Sequence, residues 1–265
     1  MIKIILAIFI TTHLFAYNDF DMDGVDDAID ACPNTPFSDL VYKDGCTKKS
    51  LESPHHFDII VGLSFSELTY TTQEDSNNLN TSLELNYYYK DFSLQMGGSY
   101  YDSLSDDESG FNDSYINFYY KNSLTQKLLI KIGAGINLPS YDSTLKNNNL
   151  DYLICGYAHY TFDTFTLFTN SSYSFIEDEN RDDIVYQNTF YFGAGLGYYL
   201  NSKTYTSVSI NTNDSIYKGD EKINTLSLYA NYSIDENYFT TLSYSYGLSQ
   251  NASDNYVSFR IGYYF

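Results

Sequence analysis

Apolar and polar residues alternate along most of the chain from residue 57 onwards. In the first such segment, Phe57, Ile59, Val61, Leu63 and Phe65 share one face, with mainly polar or small residues between them. A repeat of two residues is typical of a β-strand with one apolar face. Segments of this kind predict twelve strands, over 57–70, 79–90, 92–104, 113–122, 127–138, 150–162, 164–177, 186–200, 203–213, 222–233, 237–249 and 255–265.

The connections between these segments alternate in length. Those after even-numbered segments are short, as at Asp91, whereas those after odd-numbered segments are long and acidic, as at 105–112 and 178–185. An even number of strands with short turns at one end and long loops at the other is typical of outer-membrane barrels. We therefore predict an all-β fold, a transmembrane antiparallel β-barrel of about 12 strands over 57–265. The alternative is a secreted β-sandwich, which would bury its apolar face in a core.

The last strand supports the barrel. It ends on Tyr263, Tyr264 and Phe265, and a terminal Phe on a final amphipathic strand resembles the assembly signal of bacterial outer-membrane proteins. This resemblance implies the outer membrane of a Gram-negative bacterium, contact with lipid and lipopolysaccharide, and recognition of Phe265 by the assembly machinery. Both ends of the barrel domain would then lie in the periplasm.

The first residues predict export. Lys3 is followed by an apolar stretch over 4–15 and by the small residue Ala16, which is the pattern of a signal peptide over 1–16. The alternative is a buried N-terminal helix.

An aspartate-rich segment follows. Its D-x-D-x-D-G spacing turns alternate carboxylates towards one centre, as in calcium-binding loops. Residues 17–47, with the later C-P and D-G-C motifs, resemble a thrombospondin type 3 repeat. The resemblance implies Ca²⁺ as a cofactor, a role in calcium-dependent adhesion, and a disulfide between Cys32 and Cys46. Because the barrel would begin in the periplasm, the N-terminal repeat is expected to lie there too. The implied calcium ligands are Asp19, Asp21, Asp23, Val25, Asp27 and Asp30. We place a linker at 48–56, which includes the pair His55 and His56.

Strand parity assigns a set of polar side chains to the barrel interior: Asp58, Glu84, Asn86, Tyr88, Lys121, Lys131, Asn137, Asp151, His159 and Arg260. Glu84 and Arg260 become near neighbours when the first strand pairs with the last, which predicts an internal ion pair. With Lys131 they are candidates for a constriction, and such a pair either plugs a narrow barrel or lines a channel. Inward glycines such as Gly193 and Gly195 indicate either open space or close contact with Tyr side chains.

The net charge and the residues around His159 and Cys155 limit the functions that the sequence allows. The formal net charge of −20 argues against nucleic-acid partners. His159 has no recognisable lipase or protease motif around it, and nothing near Cys155 in the sequence would activate its thiol, so we predict that the protein is not an enzyme. The acidic loops favour a passive, cation-preferring channel for small ions or solutes. The alternative is a non-conducting structural or calcium-dependent adhesion protein of the cell envelope.

Overall fold

The barrel region is almost fully described in the computed structural model. The described residues are 54–68, 76–105, 108–141, 148–162, 164–180 and 184–265. In the N-terminal region they are 19, 21, 25, 27, 30–32, 35, 41 and 43–46. Within these ranges, no helix is long and apolar enough to cross a membrane.

Thirteen strands occur in the described residues. They are β1 (His55–Leu68), β2 (Ser76–Tyr89), β3 (Phe92–Ser103), β4 (Ser109–Phe111), β5 (Ser114–Ser123), β6 (Leu128–Leu138), β7 (Asp151–Phe162), β8 (Phe165–Phe175), β9 (Thr189–Asn201), β10 (Thr204–Asn213), β11 (Ile223–Ser233), β12 (Tyr238–Gly247) and β13 (Asn255–Tyr264). Twelve of them correspond to the predicted strands. The additional strand, β4, has three residues and pairs with β3 within a segment that we expected to be a loop.

The twelve long strands form a closed barrel. Each pairs antiparallel with its neighbours along the chain, and β1 pairs with β13 to close the ring. The seam between the first and last strands extends to the final residue, because Phe57 and Phe265 exchange two backbone hydrogen bonds of 2.8 Å. Their rings also stack, with centroids 5.5 Å apart. No strand edge of the ring is therefore left unpaired along this seam, which is what closure accomplishes in barrels.

The two faces of the wall have opposite polarity. Outward-facing aliphatic side chains are exposed, for example Ile210 at 64% and Ile132 at 56%, whereas the inward-facing Glu84 is only 8% exposed. Among the described residues, the buried apolar side chains are limited to Val25, Ile60 and Ala252. A sandwich would bury its apolar face, so this arrangement excludes the sandwich and matches a barrel whose outer surface faces lipid.

The first strand begins earlier than expected. His55 and His56 pair with Tyr89 and Tyr88 of β2, so both histidines belong to the wall and not to the linker. The ring of His55 stacks on Tyr89 at 4.9 Å between centroids, and His56 stacks on Tyr264 at 5.5 Å. These stacking contacts at the strand end favour the extension.

Candidate functional site: the barrel lumen

Glu84 is the centre of a hydrogen-bond network on one side of the lumen. Its Oε1 accepts hydrogen bonds from Asn86 Nδ2 at 2.8 Å and Gln95 Nε2 at 3.0 Å. Its Oε2 accepts from Tyr115 OH at 2.9 Å and Arg260 Nη2 at 2.6 Å. The expected ion pair between Glu84 and Arg260 is therefore present. Four donors from four strands surround one carboxylate, an arrangement that compensates the cost of burying its charge.

A glycine on β1 allows this ion pair to form. Arg260 on β13 faces Gly62, which in turn faces Ser82 on β2. A Cβ atom at position 62 would lie 2.9 Å from Arg260 Cγ and 2.6 Å from Ser82 Oγ. The arginine side chain thus lies across the backbone of β1 to reach Glu84, and only a residue without a side chain leaves it that path.

A second carboxylate joins the same network. Asp58 Oδ1 accepts a hydrogen bond from Asn86 Nδ2 at 2.6 Å, and Asp58 Oδ2 accepts from Tyr88 OH at 2.8 Å. Asn86 therefore bridges Asp58 and Glu84. These contacts hold both carboxylates against the wall formed by β1 and β2.

Lys131, the third predicted constriction residue, lies elsewhere on the wall. It is on β6, where its Nζ lies 3.8 Å from the centre of the Tyr119 ring, a cation–π contact. Lys121 on β5 faces it directly across the strand pair. The structure brings Glu84 and Arg260 together, and it places Lys131 against an aromatic ring.

The opposite side of the lumen contains a cavity of about 420 Å³ between β7 and β13. The cavity has fourteen lining residues, of which five are serines, five are tyrosines and two are asparagines. The other two are Phe168 and Leu228. Nothing in the sequence pattern marks this group as a site. Alternation places all of them except the outward-facing Leu228 on the inner face, but only the closed ring brings seven strands around one space.

The inward glycines are covered by neighbouring side chains. A Cβ at Gly195 would lie 2.5 Å from Phe168 Cζ, and one at Gly97 would lie 2.5 Å from Tyr115 OH. At Gly197 the contacting group is the Tyr205 hydroxyl. Of the two interpretations left open by the sequence, close contact is the one observed. The nearest ring atoms lie at the tips of these side chains, in the space that a Cβ atom of the glycine would occupy.

The only histidine within the strands after β1, His159, contacts a tyrosine. Its Nδ1 lies 3.1 Å from the Tyr157 hydroxyl, and both are on β7. Cys155 is on the same inner face and is a free cysteine.

The N-terminal segment contains the expected disulfide. Cys32 and Cys46 are bonded, with their Cα atoms 4.8 Å apart. Thr35 Oγ1 donates to Gly45 O at 2.7 Å, and Thr35 N donates to Asp21 Oδ2 at 2.5 Å. Gly45 has a φ of 75°, a left-handed conformation that favours glycine.

The calcium ligands implied by the sequence are only partly described. Asp23 lies outside the described residues. Asp30 Oδ1 accepts a hydrogen bond from Cys32 N at 2.7 Å, whereas Asp30 Oδ2 is buried with no hydrogen-bond partner. Carboxylate oxygens suit Ca²⁺, and a buried oxygen of this kind is compatible with a cation. However, within the described part of the chain no three His, Cys, Asp or Glu side chains are grouped as metal ligands would be.

The two ends of the barrel differ in charge. The connections at the long-loop end (69–75, 104–113, 139–150, 176–188, 214–222 and 248–254) contain 16 acidic and 4 basic residues. Those at the other end (90–91, 124–127, 163–164, 202–203 and 234–237) contain 4 acidic and 3 basic residues. In the 214–222 loop, a hydrogen bond from Lys222 lowers the pKa of Asp214 below its ordinary value, and the two groups lie 2.8 Å apart.

A closed ring of twelve antiparallel strands, apolar outside and polar inside, defines an outer-membrane β-barrel with a porin-like fold. Comparison with solved structures agrees. An outer-membrane channel from Pseudomonas putida F1 superimposes with a TM-score of 0.63 and 11% identity, over 80% of this chain and 95% of that one. The NanC porin superimposes with a TM-score of 0.55 and 13% identity, over 78% of this chain and 97% of that one. For the KdgM porin the TM-score is 0.53 at 10% identity, over 79% of this chain and 99% of that one. No protein-family model and no curated protein matches the sequence.

Proposed function

We propose that the protein is a passive, cation-preferring channel of the Gram-negative outer membrane. The observation that carries the proposal is the cavity of about 420 Å³ inside a closed wall whose inner face is polar. Similar folds described as channels or porins support the same function. We infer no catalytic role.

The arrangement of the inner side chains favours a path for solutes. The Glu84 network lies against β1, β2, β3, β5 and β13, whereas the cavity lies between β7 and β13. Asp58, Glu84 and Arg260 are held at the wall by hydrogen bonds, and Lys131 is held there by the Tyr119 ring. A wall of twelve strands is also intermediate between filled eight-strand barrels and the wide porins.

The preference for cations rests on the charge of the long-loop end. An excess of carboxylates at one mouth creates a negative potential that concentrates cations and repels anions there. Within the lumen, the carboxylate of Glu84 is already paired with Arg260 and contributes little net charge. The loops should therefore dominate selectivity, and raising the ionic strength should weaken it.

The experiment is single-channel recording of the refolded protein in a planar bilayer under asymmetric KCl. We expect stepwise conductance with a reversal potential of the sign for cations. A combined Glu108→Gln, Glu177→Gln and Glu221→Gln variant neutralises three acids of the long-loop end and should lower the cation preference. Glu236→Gln, at the other end, is the matched control and should change it less.

Two results would contradict the proposal. A barrel that inserts and remains folded but never conducts would refute the channel and leave the structural or adhesive role. Steady conductance with anion preference would retain the channel and refute the selectivity.

We also propose that residues 17–47 bind Ca²⁺ in the periplasm. The buried, unpartnered oxygen of Asp30 supports this, together with the carboxylate spacing of the sequence. Titration of the full chain with Ca²⁺ should show saturable heat that Asp30→Asn reduces. Asp235→Asn, in a strand connection of the barrel, should leave the heat unchanged, and equal loss in both variants would argue against a specific site.

The assembly machinery is expected to recognise Phe265. Because Phe265 also closes the seam with Phe57, assembly in cells and refolding in detergent should be measured separately. A Phe265→Ala variant that refolds normally but accumulates outside the membrane in cells would support recognition. Normal accumulation in the membrane would refute it.

A further inference from the structure

The cavity in the lumen differs in chemistry from the rest of the inner wall. None of the described residues that line it carries a charge, although charged side chains occupy the facing wall. Its lining consists mainly of hydroxyl groups, two carboxamides and aromatic rings. Its volume of about 420 Å³ falls within the roughly 300–1,000 Å³ of small-ligand sites. A space that only conducted hydrated ions would require none of this specialisation.

Two aromatic side chains, Phe168 and Tyr205, form a platform that lines one side of the cavity. Phe168 projects from β8 over Gly195 of β9, where a Cβ would lie 2.5 Å from its Cζ. Tyr205 projects from β10 over Gly197, which is also on β9. The Tyr205 hydroxyl lies 3.2 Å from Thr166 Oγ1. Both rings are half-buried. The glycines thus let rings from the two neighbouring strands lie along the wall, with aromatic surface facing the cavity.

Hydrogen-bonding groups continue around the platform. Tyr191 OH donates to Asn211 Oδ1 at 3.1 Å, and Asn211 Nδ2 donates to Ser227 Oγ at 2.9 Å. The Ser227 and Ser245 hydroxyl oxygens lie 2.7 Å apart. Each serine hydroxyl has one donor and two acceptor positions, and these contacts use only part of that capacity. The network therefore holds its members in place while leaving hydrogen-bonding groups available to a ligand.

We propose that this cavity binds the rings of neutral sugars, with a ring stacked on Phe168 and its hydroxyls bonded to the serine and asparagine groups. A sugar ring presents C–H groups on one face and hydroxyls at its edge, so it complements both parts of the lining. The proposal deepens the channel function and rests on it, since the sugar would be a permeating solute. It predicts discrimination by charge and by shape.

Other ligand classes fit the lining less well. A carboxylated sugar or a metal ion would be desolvated among groups that offer no opposite charge, which is costly. A hydrocarbon would leave the serine and asparagine groups without partners on the ligand side, which is also unfavourable. A neutral polyol chain matches the hydroxyls but has no rigid face to stack on the rings.

The test is calorimetric titration of the detergent-refolded protein with three probes of defined chemistry: maltotriose, trigalacturonate and sorbitol. We expect saturable binding of maltotriose, and association at least about tenfold weaker for each of the other two. Sorbitol would lose the stacking on the ring, and trigalacturonate would bring carboxylates among groups that offer no opposite charge. Equal binding of sorbitol would overturn the stacking. Tighter binding of trigalacturonate would overturn the preference for neutral sugars.

Variants identify the site. Phe168→Leu removes the ring and should weaken maltotriose binding about fivefold to tenfold, whereas Phe168→Tyr keeps the ring and should retain binding. Phe192→Leu changes a phenylalanine on the lipid-facing side of β9 and is the matched control. Each variant is first shown to be folded by its migration on unheated gels.

The same variants in bilayers separate the two proposals. Block of the current by maltotriose that Phe168→Leu relieves would support the sugar site within a working channel. Maltotriose binding by calorimetry without any conductance would refute the channel and retain the sugar site. Conductance without maltotriose block or binding would retain the channel and refute the sugar site.

Discussion

The ion pair between Glu84 and Arg260 should contribute measurably to the stability of the barrel. The Arg260 Nη2 to Glu84 Oε2 distance is 2.6 Å, and the side chains are 31% and 10% exposed. Because the pair is partly buried, we expect it to exceed exposed pairs, which contribute about 0–1 kcal/mol, and to fall within the range of hydrogen bonds to charged groups, about 1.5–3 kcal/mol. A coupling free energy of about 2 kcal/mol is therefore expected, because the carboxylate is well buried and the contact is short.

A double-mutant cycle measures that coupling directly. The variants are Glu84→Gln, Arg260→Met and their combination, and the free energy of unfolding comes from reversible urea titration of the refolded barrel. Asp214→Asn and Lys222→Met provide a matched cycle for the loop pair, whose atoms are 2.8 Å apart but whose side chains are 25% and 61% exposed. For that pair the coupling should stay under about 0.5 kcal/mol.

The coupling free energy of the lumen pair is compared with that of the loop pair. If the lumen pair couples no more strongly than the loop pair, the short contact at Glu84 contributes nothing beyond a surface contact. The reasoning from burial would then be refuted. A coupling of the wrong sign would show that the remaining donors, Asn86, Gln95 and Tyr115, satisfy Glu84 better without the arginine.

Three further predictions follow from single contacts. Gly62→Val should displace Arg260 from β1 and so destabilise the barrel by about 1–3 kcal/mol, as measured by urea titration. Gly156→Ala is the control and should have little effect, because a Cβ there would meet nothing closer than 3.9 Å. Cys32→Ser should speed proteolysis of the N-terminal segment, since closing this loop with a disulfide stabilises the folded segment by about 3 kcal/mol. Cys155→Ser, at the free cysteine, is the control and should not change the rate. Equal rates for the two variants would contradict the prediction. Because the pKa of Asp214 is lowered, its stabilising contact is fully present above its ordinary pKa of about 4 and is lost as the pH falls through the lower folded value. The protection factor of the Phe190 amide, whose N–H donates to Asp214 Oδ2 at 3.0 Å, should accordingly fall as the pH drops below about 4 in the native protein but not in Asp214→Asn.

The alternation of apolar and polar residues along the chain is enough to predict the type of fold and the polarity of each face of the wall. Successive side chains of a strand point to opposite sides, so alternation alone assigns Ile59 to lipid and Asp58 to the lumen. The alternation of short and long connections then orders the strands into a ring. That ring predicted the contact between Glu84 and Arg260 across 176 positions of the sequence, because closure pairs β1 with both β2 and β13.

The tertiary structure decided what the inner face can bind. Strand alternation predicts that Gly195 and Phe168 both face inward. It does not predict that the phenylalanine ring contacts the glycine. That contact depends on the register between β8 and β9 and on the direction of each side chain along the wall. The same is true of Arg260 over Gly62 and of Lys131 on the Tyr119 ring. Closure sets these registers for all twelve strands together, so the cavity exists only in the assembled barrel and no local pattern of residues encodes it.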